Sequence, residues 1–110
     1  MRIGQLSEQF FVSGQIEPEH VAQLAEQGFK TIVCNRPDGE ELRQPTAGEI
    51  AAAAEAHGMK FVHIPVLSSG VVPQNVADFK AKFGDLEAPI LAYCRSGARS
   101  AMLFQLAGAE

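Results

Sequence analysis

The stretch APILAYCRSGARSAMLFQLAG, Ala88–Gly108, decides how the rest of the chain is read. It runs from an apolar segment into a thiol, Cys94. A polar loop follows, Arg95–Ser96–Gly97–Ala98–Arg99–Ser100, and then a run with helical character. A buried strand turning through a glycine into a helix is the junction at which parallel α/β sheets gather their ligands. Working back from it, the chain alternates in the same way. QFFVSGQ (9–15) reads as a strand that ends at Gly14. EPEHVAQLAEQG follows as a helix, with Pro18 in its first turn and Gly28 as its stop. FKTIVCN (29–35) is a second strand, with apolar residues on consecutive positions as expected when both faces are covered. RPDGEELRQP is a polar turn. Thr46 and Glu49 have capping-box spacing and open a helix that runs to Gly58. KFVHIPV is a third strand and LSSGVVPQ a loop. PQNVADFKAKFG is a helix with Val72, Val76, Phe79 and Phe83 on one face. Four alternations predict an α/β domain of three layers, a mostly parallel four- to five-stranded sheet flanked by helices.

With 110 residues, 46% of them hydrophobic and 20% charged, the chain is long enough for one domain with its own core, residues 1–110, and its composition argues against disorder. A net charge of −4 argues against nucleic acid or an anionic membrane as partner. No apolar run approaches membrane-spanning length, and the opening MRIGQLSEQFFVSG reads as folded protein, so a cytoplasmic location is expected. Cys34 and Cys94 lack the spacing of a zinc site or a disulfide framework and are expected as thiols. No His and carboxylate set has metal-ligand spacing, so neither a metal nor a cofactor is expected.

The loop after Cys94 carries the chemistry. Its N–H groups are expected to point inward as a nest at the positive end of the following helix, with Ser96, Gly97 and Ala98 supplying backbone and Gly97 the tight turn. Arg99 adds a planar two-pronged donor for an oxyanion, and Arg95 either lines the same cradle, as an anion-binding candidate, or points to solvent. That field favours thiolate at Cys94, the nucleophilic form, with Ser100 positioned to donate to it. The plainer account of Cys94 as a small buried hydrophobe leaves the arginines and glycine unexplained. Arg36 and Asp38 belong to a mixed-charge turn of the kind that is usually solvated. They leave the sheet at the same strand-end face as Cys94, which makes Arg36 an anion-binding candidate and Asp38 a candidate general acid. Cys34 reads as a packed strand residue or a resolving thiol, and His63 as a core histidine. His20 and His57 read as surface or cap residues.

YCRSGARS resembles the active loop of the rhodanese sulfurtransferases, whose ring runs from the cysteine to its fifth following residue. Protein tyrosine and dual-specificity phosphatases have a similar loop, with five residues between cysteine and arginine. Four intervene between Cys94 and Arg99, and Tyr93 stands where those phosphatases carry histidine. The order of FFVSGQIEPEHVAQLAEQGFKTIVCNRPDGEE, FVHIPV and the cysteine loop resembles the small dual-specificity phosphatase domain. Over its whole length, through SGQ, NRPDGE, IPV and YCRSG-RS, the chain resembles the β-lactamase-hydrolase-like, phosphatase-like domain family. That resemblance implies a tyrosine-phosphatase-like fold, further helix beyond the end of this chain, and a metallo-β-lactamase-like or persulfide-metabolising partner domain. Dual-specificity phosphatases carry an acid after the IPV strand, where this chain has LSSGVV. The sequence therefore leads to an expectation of sulfur transfer through a Cys94 persulfide, with a small oxyanion or persulfide substrate. A phosphatase working through a cysteinyl-phosphate is the alternative, and a non-catalytic oxyanion-binding module the third reading.

Overall fold

Alternation along the central strands gives this chain two cores, one on each side of a sheet. The computed structural model describes residues 1–108; residues 109–110, the end of the expected 1–110 domain, lie outside them. Five strands are formed: β1 (Ile3–Gln5), β2 (Phe10–Ser13), β3 (Thr31–Cys34), β4 (Lys60–His63) and β5 (Ile90–Tyr93). Four helices join or follow them: α1 (His20–Glu26), α2 (Ala47–Ala56), α3 (Pro73–Phe83) and α4 (Ala98–Ala107). The sheet order is β1-β2-β5-β3-β4, parallel except for β1, which adds an antiparallel edge against β2. This is the expected three-layer, mostly parallel sheet.

Consecutive residues of one strand face opposite layers. Ile32, Cys34, Leu91 and Tyr93 pack against Val21, Leu24, Ile50 and Ala54 of α1 and α2. Val33, Ile90, Ala92 and Phe10 pack against Phe79 of α3 and Leu103 and Phe104 of α4. The crossovers thus change sides about β5, which lies between β2 and β3, and Cys94 leaves the sheet there. The expected capping box is formed: Thr46 Oγ1 accepts from Glu49 N at 3.1 Å, and Thr46 N donates to Glu49 Oε1 at 3.4 Å.

Three local expectations differ from the structure. Helix α1 begins at His20, and Pro18 sits in the turn ahead of it, its carbonyl accepting from Val21 N at 3.1 Å. His63 is exposed, because β4 is an edge strand. Val72 is the N-cap of α3 and is 47% exposed, so the apolar face begins one turn later.

Phe10 ties the α3/α4 core together, stacked on Phe104 at 4.3 Å and edge-on to Phe79 at 5.9 Å. Replacing this buried ring leaves a cavity in two interfaces at once. Phe10→Ala is expected to lower the unfolding free energy by about 3–5 kcal/mol. Urea titration of both proteins checks this, and a loss below about 1 kcal/mol contradicts the packing described.

Candidate active site

The loop after β5 takes its shape from the backbone of β2. Cys94 N donates to Ser13 O at 3.4 Å, and Gln15 N donates to Arg95 O at 3.3 Å. The approach is so close that two glycines are required. A Cβ on Gly14 would lie 2.9 Å from Arg95 O, and one on Gly97 would lie 3.3 Å from Ser13 O. Gly97 also has φ +96°, a left-handed conformation that side chains resist, and it caps the N-terminus of α4.

Cys94 is fully buried in this loop. Burial alone would push its thiol pKa up. The backbone N–H groups of Ser100, Ser96, Gly97 and Arg99 converge on the sulfur and outweigh that, so the pKa falls below the ordinary thiol value. The Gly97 N–H bond to Sγ is 3.0 Å long. The nest therefore exists with a membership that differs from expectation. Ala98 N donates to Ser96 Oγ at 3.3 Å instead of facing the sulfur. The Ser100 hydroxyl donates to Asn35 Oδ1 at 2.8 Å, so only the backbone of Ser100 serves the thiolate. Asn35 is buried and also donates through Nδ2 to Ile64 O at 2.9 Å. It thereby links the ends of β3 and β4 to the first turn of α4.

Arg99 is held by Glu40. Nη1 donates to Glu40 Oε2 at 2.9 Å and Nη2 to Glu40 Oε1 at 2.8 Å, while Nη1 also donates to Val66 O at 2.7 Å. Three of the five guanidinium N–H groups are thereby engaged. The Nε–H and the remaining Nη2–H are taken by no carboxylate or carbonyl among the described residues and lie beside the Cys94 sulfur. They form a second, side-on edge that fits an oxyanion. The Arg99 hydrogen bonds, against the opposing effect of burial and with help from Arg36, hold the Glu40 carboxyl down at about 2. Arg99 itself is raised further above its ordinary value, first by Glu40 and also by the neighbouring Cys94.

The other sequence candidates separate cleanly. Asp38 accepts from Ala47 N at 2.7 Å and so serves the N-terminus of α2; it does not extend over the cysteine as a general acid. Arg36 is buried and donates through all three of its nitrogens, to Glu40 (2.9 Å), Gln15 (3.0 Å) and Glu41 (2.6 Å), which makes it a brace for the turn and not an anion-binding group. Arg95 points to the rim, its side chain 68% exposed and its Nε 3.3 Å from Glu41 Oε1. Cys34 faces the α1/α2 core beside Tyr93 and donates to Arg36 O at 3.3 Å. Burial raises its pKa, so it is a packed strand residue. Among the described residues no cluster of three His, Cys, Asp or Glu side chains is arranged to hold a metal ion, and no helix is long and apolar enough to cross a membrane. Sequence reading missed Glu40, the carboxylate that orients Arg99. The one signal for it was its place in the same turn as Asp38.

Residues 2–110 match the family described as beta-lactamase hydrolase-like protein, phosphatase-like domain. The chain belongs to that family. It is 34% identical over 106 residues to a beta-lactamase hydrolase-like protein of Agrobacterium fabrum and 32% identical to one of Xylella fastidiosa. In each case the match covers 96% of this chain, which spans about a quarter of the length of the curated relatives it matches. A candidate phosphatase of Neisseria meningitidis, known from its crystal structure, superposes with a TM-score of 0.85 at 39% identity, covering 94% of this chain and 74% of that one. Kinase associated phosphatase, whose catalytic-site residue is a cysteine, superposes with a TM-score of 0.73 at 12% identity, over 89% of this chain and 63% of its own. That likeness establishes the tyrosine-phosphatase-like fold.

Two outcomes follow from the electrostatics. The folded pKa of Glu40, about 2, lies below the ordinary 4.5, so its stabilising contribution is complete above about pH 4.5 and is lost as pH falls toward 2. Glu40→Gln is expected to flatten the stability curve over that interval; equal slopes in both proteins would exclude the pairing. Cys94 is expected to react with iodoacetate with a pH midpoint below the ordinary thiol value, while Cys34 stays unreactive until the protein unfolds. Peptide mapping distinguishes the two, and an ordinary midpoint for Cys94 would rule out the amide nest as its stabiliser.

Proposed function

We propose that this domain is a cysteine-dependent phosphatase that works through a cysteinyl-phosphate. The reading rests on one observation, the buried Cys94 sulfur facing backbone N–H groups of its own loop and the side-on edge of Arg99 that Glu40 leaves turned toward it. In the first step the Cys94 thiolate attacks phosphorus and displaces the leaving oxygen. The amides of Ser96, Gly97, Arg99 and Ser100 receive the equatorial oxygens, and the free edge of Arg99 takes the charge that builds on them. In the second step water attacks the thiophosphate ester and releases the thiolate and orthophosphate. Glu40 acts here as a positioning residue. Its carboxylate fixes the plane of Arg99 in advance, so little reorientation is needed at the transition state. The similarity to the Neisseria candidate phosphatase supports hydrolysis over the sulfur transfer expected from the loop.

Sulfur transfer stands as a second reading because of one feature. Only four residues separate Cys94 from Arg99, and the shorter ring leaves less room for a phosphoryl group than for the terminal sulfur of a persulfide.

The experiment that tests both follows p-nitrophenyl phosphate hydrolysis and intact mass in parallel. Wild-type protein is expected to release p-nitrophenol, Cys94→Ser to release none, and Arg99→Ala to fall by roughly 10²–10³-fold in kcat. No hydrolysis, together with a reducible gain of one sulfur atom after thiosulfate that Cys94→Ser abolishes, would replace the phosphatase reading with sulfur transfer.

A further inference from the structure

Arg95 and Arg99 are held by consecutive glutamates of one turn. Arg99 pairs with Glu40 at 2.8 Å, and Arg95 Nε lies 3.3 Å from Glu41 Oε1. Two guanidiniums therefore stand side by side along that turn, one over the thiol and one at the rim. They are held very unequally. Arg99 is largely buried and has three contacts. Arg95 has one ion-pair contact, to a carboxylate already committed to Arg36 at 2.6 Å, and exposed pairs of that kind are weak in water. The backbone of Arg95 is nevertheless fixed, its carbonyl bonded to Gln15 N at 3.3 Å and pressed against Gly14. Arg95 thus combines a fixed backbone with a lightly held guanidinium at the mouth of the site.

The second observation concerns the leaving group. The acidic and imidazole groups of the surrounding turn and strand ends are all engaged in other roles. Glu40 and Glu41 are held as carboxylates by Arg99, Arg36 and Arg95. Asp38 accepts from Ala47 N at the start of α2, and His63 Nε2 donates to Arg36 O at 3.0 Å. Among the described residues none of these is placed to protonate a departing oxygen. An alkyl phosphate leaves as an alkoxide and needs such a proton, an effect of about 10²–10⁴-fold. A phosphate leaving from an anhydride departs as a stable anion and needs none.

We propose that the site takes a phosphoanhydride, its terminal phosphoryl group on the amide ring and Arg99 and its adjoining phosphate on Arg95. This rests on the phosphatase reading above and names its substrate class. Cys94 Sγ forms a bond to the terminal phosphorus as the bond from that phosphorus to the bridging oxygen breaks. The electron pair leaves on the bridging oxygen, whose negative charge Arg95 receives through hydrogen bonds without transferring a proton. Water then attacks phosphorus, the P–S bond breaks, and thiolate and orthophosphate are released, with the spare proton passing to solvent. Nothing is oxidised or reduced.

Steady-state rates with inorganic tripolyphosphate, p-nitrophenyl phosphate and glycerol 3-phosphate test this, each probe used without added metal. Tripolyphosphate is expected to exceed glycerol 3-phosphate in kcat/KM by about 10²-fold or more. Arg95→Ala is expected to lower the ratio of tripolyphosphate to p-nitrophenyl phosphate kcat/KM by roughly tenfold, and Arg95→Lys to restore part of it. Hydrolysis of p-nitrophenyl phosphate with no preference for tripolyphosphate, or with a ratio unmoved in Arg95→Ala, overturns the anhydride assignment and leaves the phosphatase standing. No hydrolysis of any probe overturns both.

Discussion

Burial at the bottom of this loop disfavours the ionised form of the Cys94 sulfur, and the rest of the site follows from how that cost is offset. The compensation comes mainly from backbone N–H groups, which carry no side-chain entropy and are already fixed by the start of α4. Bringing those amides onto one atom forces the loop into a curl that presses on the end of β2. That contact explains why glycine stands at both position 14 and position 97. It also explains why β5 must be central. With β2 on one side and β3 on the other, the loop is braced by Ser13 and Gln15 from one neighbour and by Asn35 from the other.

The turn after β3 supplies what the backbone lacks. An arginine beside a thiolate has many directions available, and only one presents a planar edge to a bound oxyanion. Glu40 selects it by taking the end of the guanidinium, while Val66 O takes the flank. Arg36, buried beneath, keeps Glu40 in place and is itself kept ionised by Glu40 and Glu41 against the cost of burial. Breaking one member of such a chain leaves another charge uncompensated, so the turn and the loop behave as one unit.

How much of this was readable in the sequence depended on whether a feature is local. The strand–loop–helix signature at Cys94, the capping box at Thr46 and Glu49, and the apolar double-faced strands all write their pattern over a few neighbouring residues. The sheet and its layers followed from them. Position in space did not follow. RPDGEE has several acidic residues within a few positions, and nothing in their spacing says which one reaches across 59 positions to Arg99. Asp38 was the natural candidate for an acid because it lies in that turn, yet the Ala47 N–H at the start of α2 claims it. Arg36 looked like an anion ligand, and its burial beneath two glutamates turns it into a brace. His63 looked like core because its neighbours are apolar, a pattern that an edge strand can share.

The electrostatics of the site also remove a conflict between its task and the chain's net charge of −4. Three arginines, Arg36, Arg95 and Arg99, meet two glutamates, Glu40 and Glu41, so these side chains sum to one positive charge. When Cys94 is ionised it balances that charge, and the site with its nucleophile formed is close to neutral. A site so balanced does not collect anions through long-range attraction, and overall charge gives it no help. Affinity has to come from short-range, directed donors: the amide ring, the free edge of Arg99 and the rim guanidinium of Arg95. Geometry then discriminates among ligands more than charge does. A ligand that engages only one of these donor groups gains little over water, and one that spans them is held at both the reacting phosphorus and its neighbour.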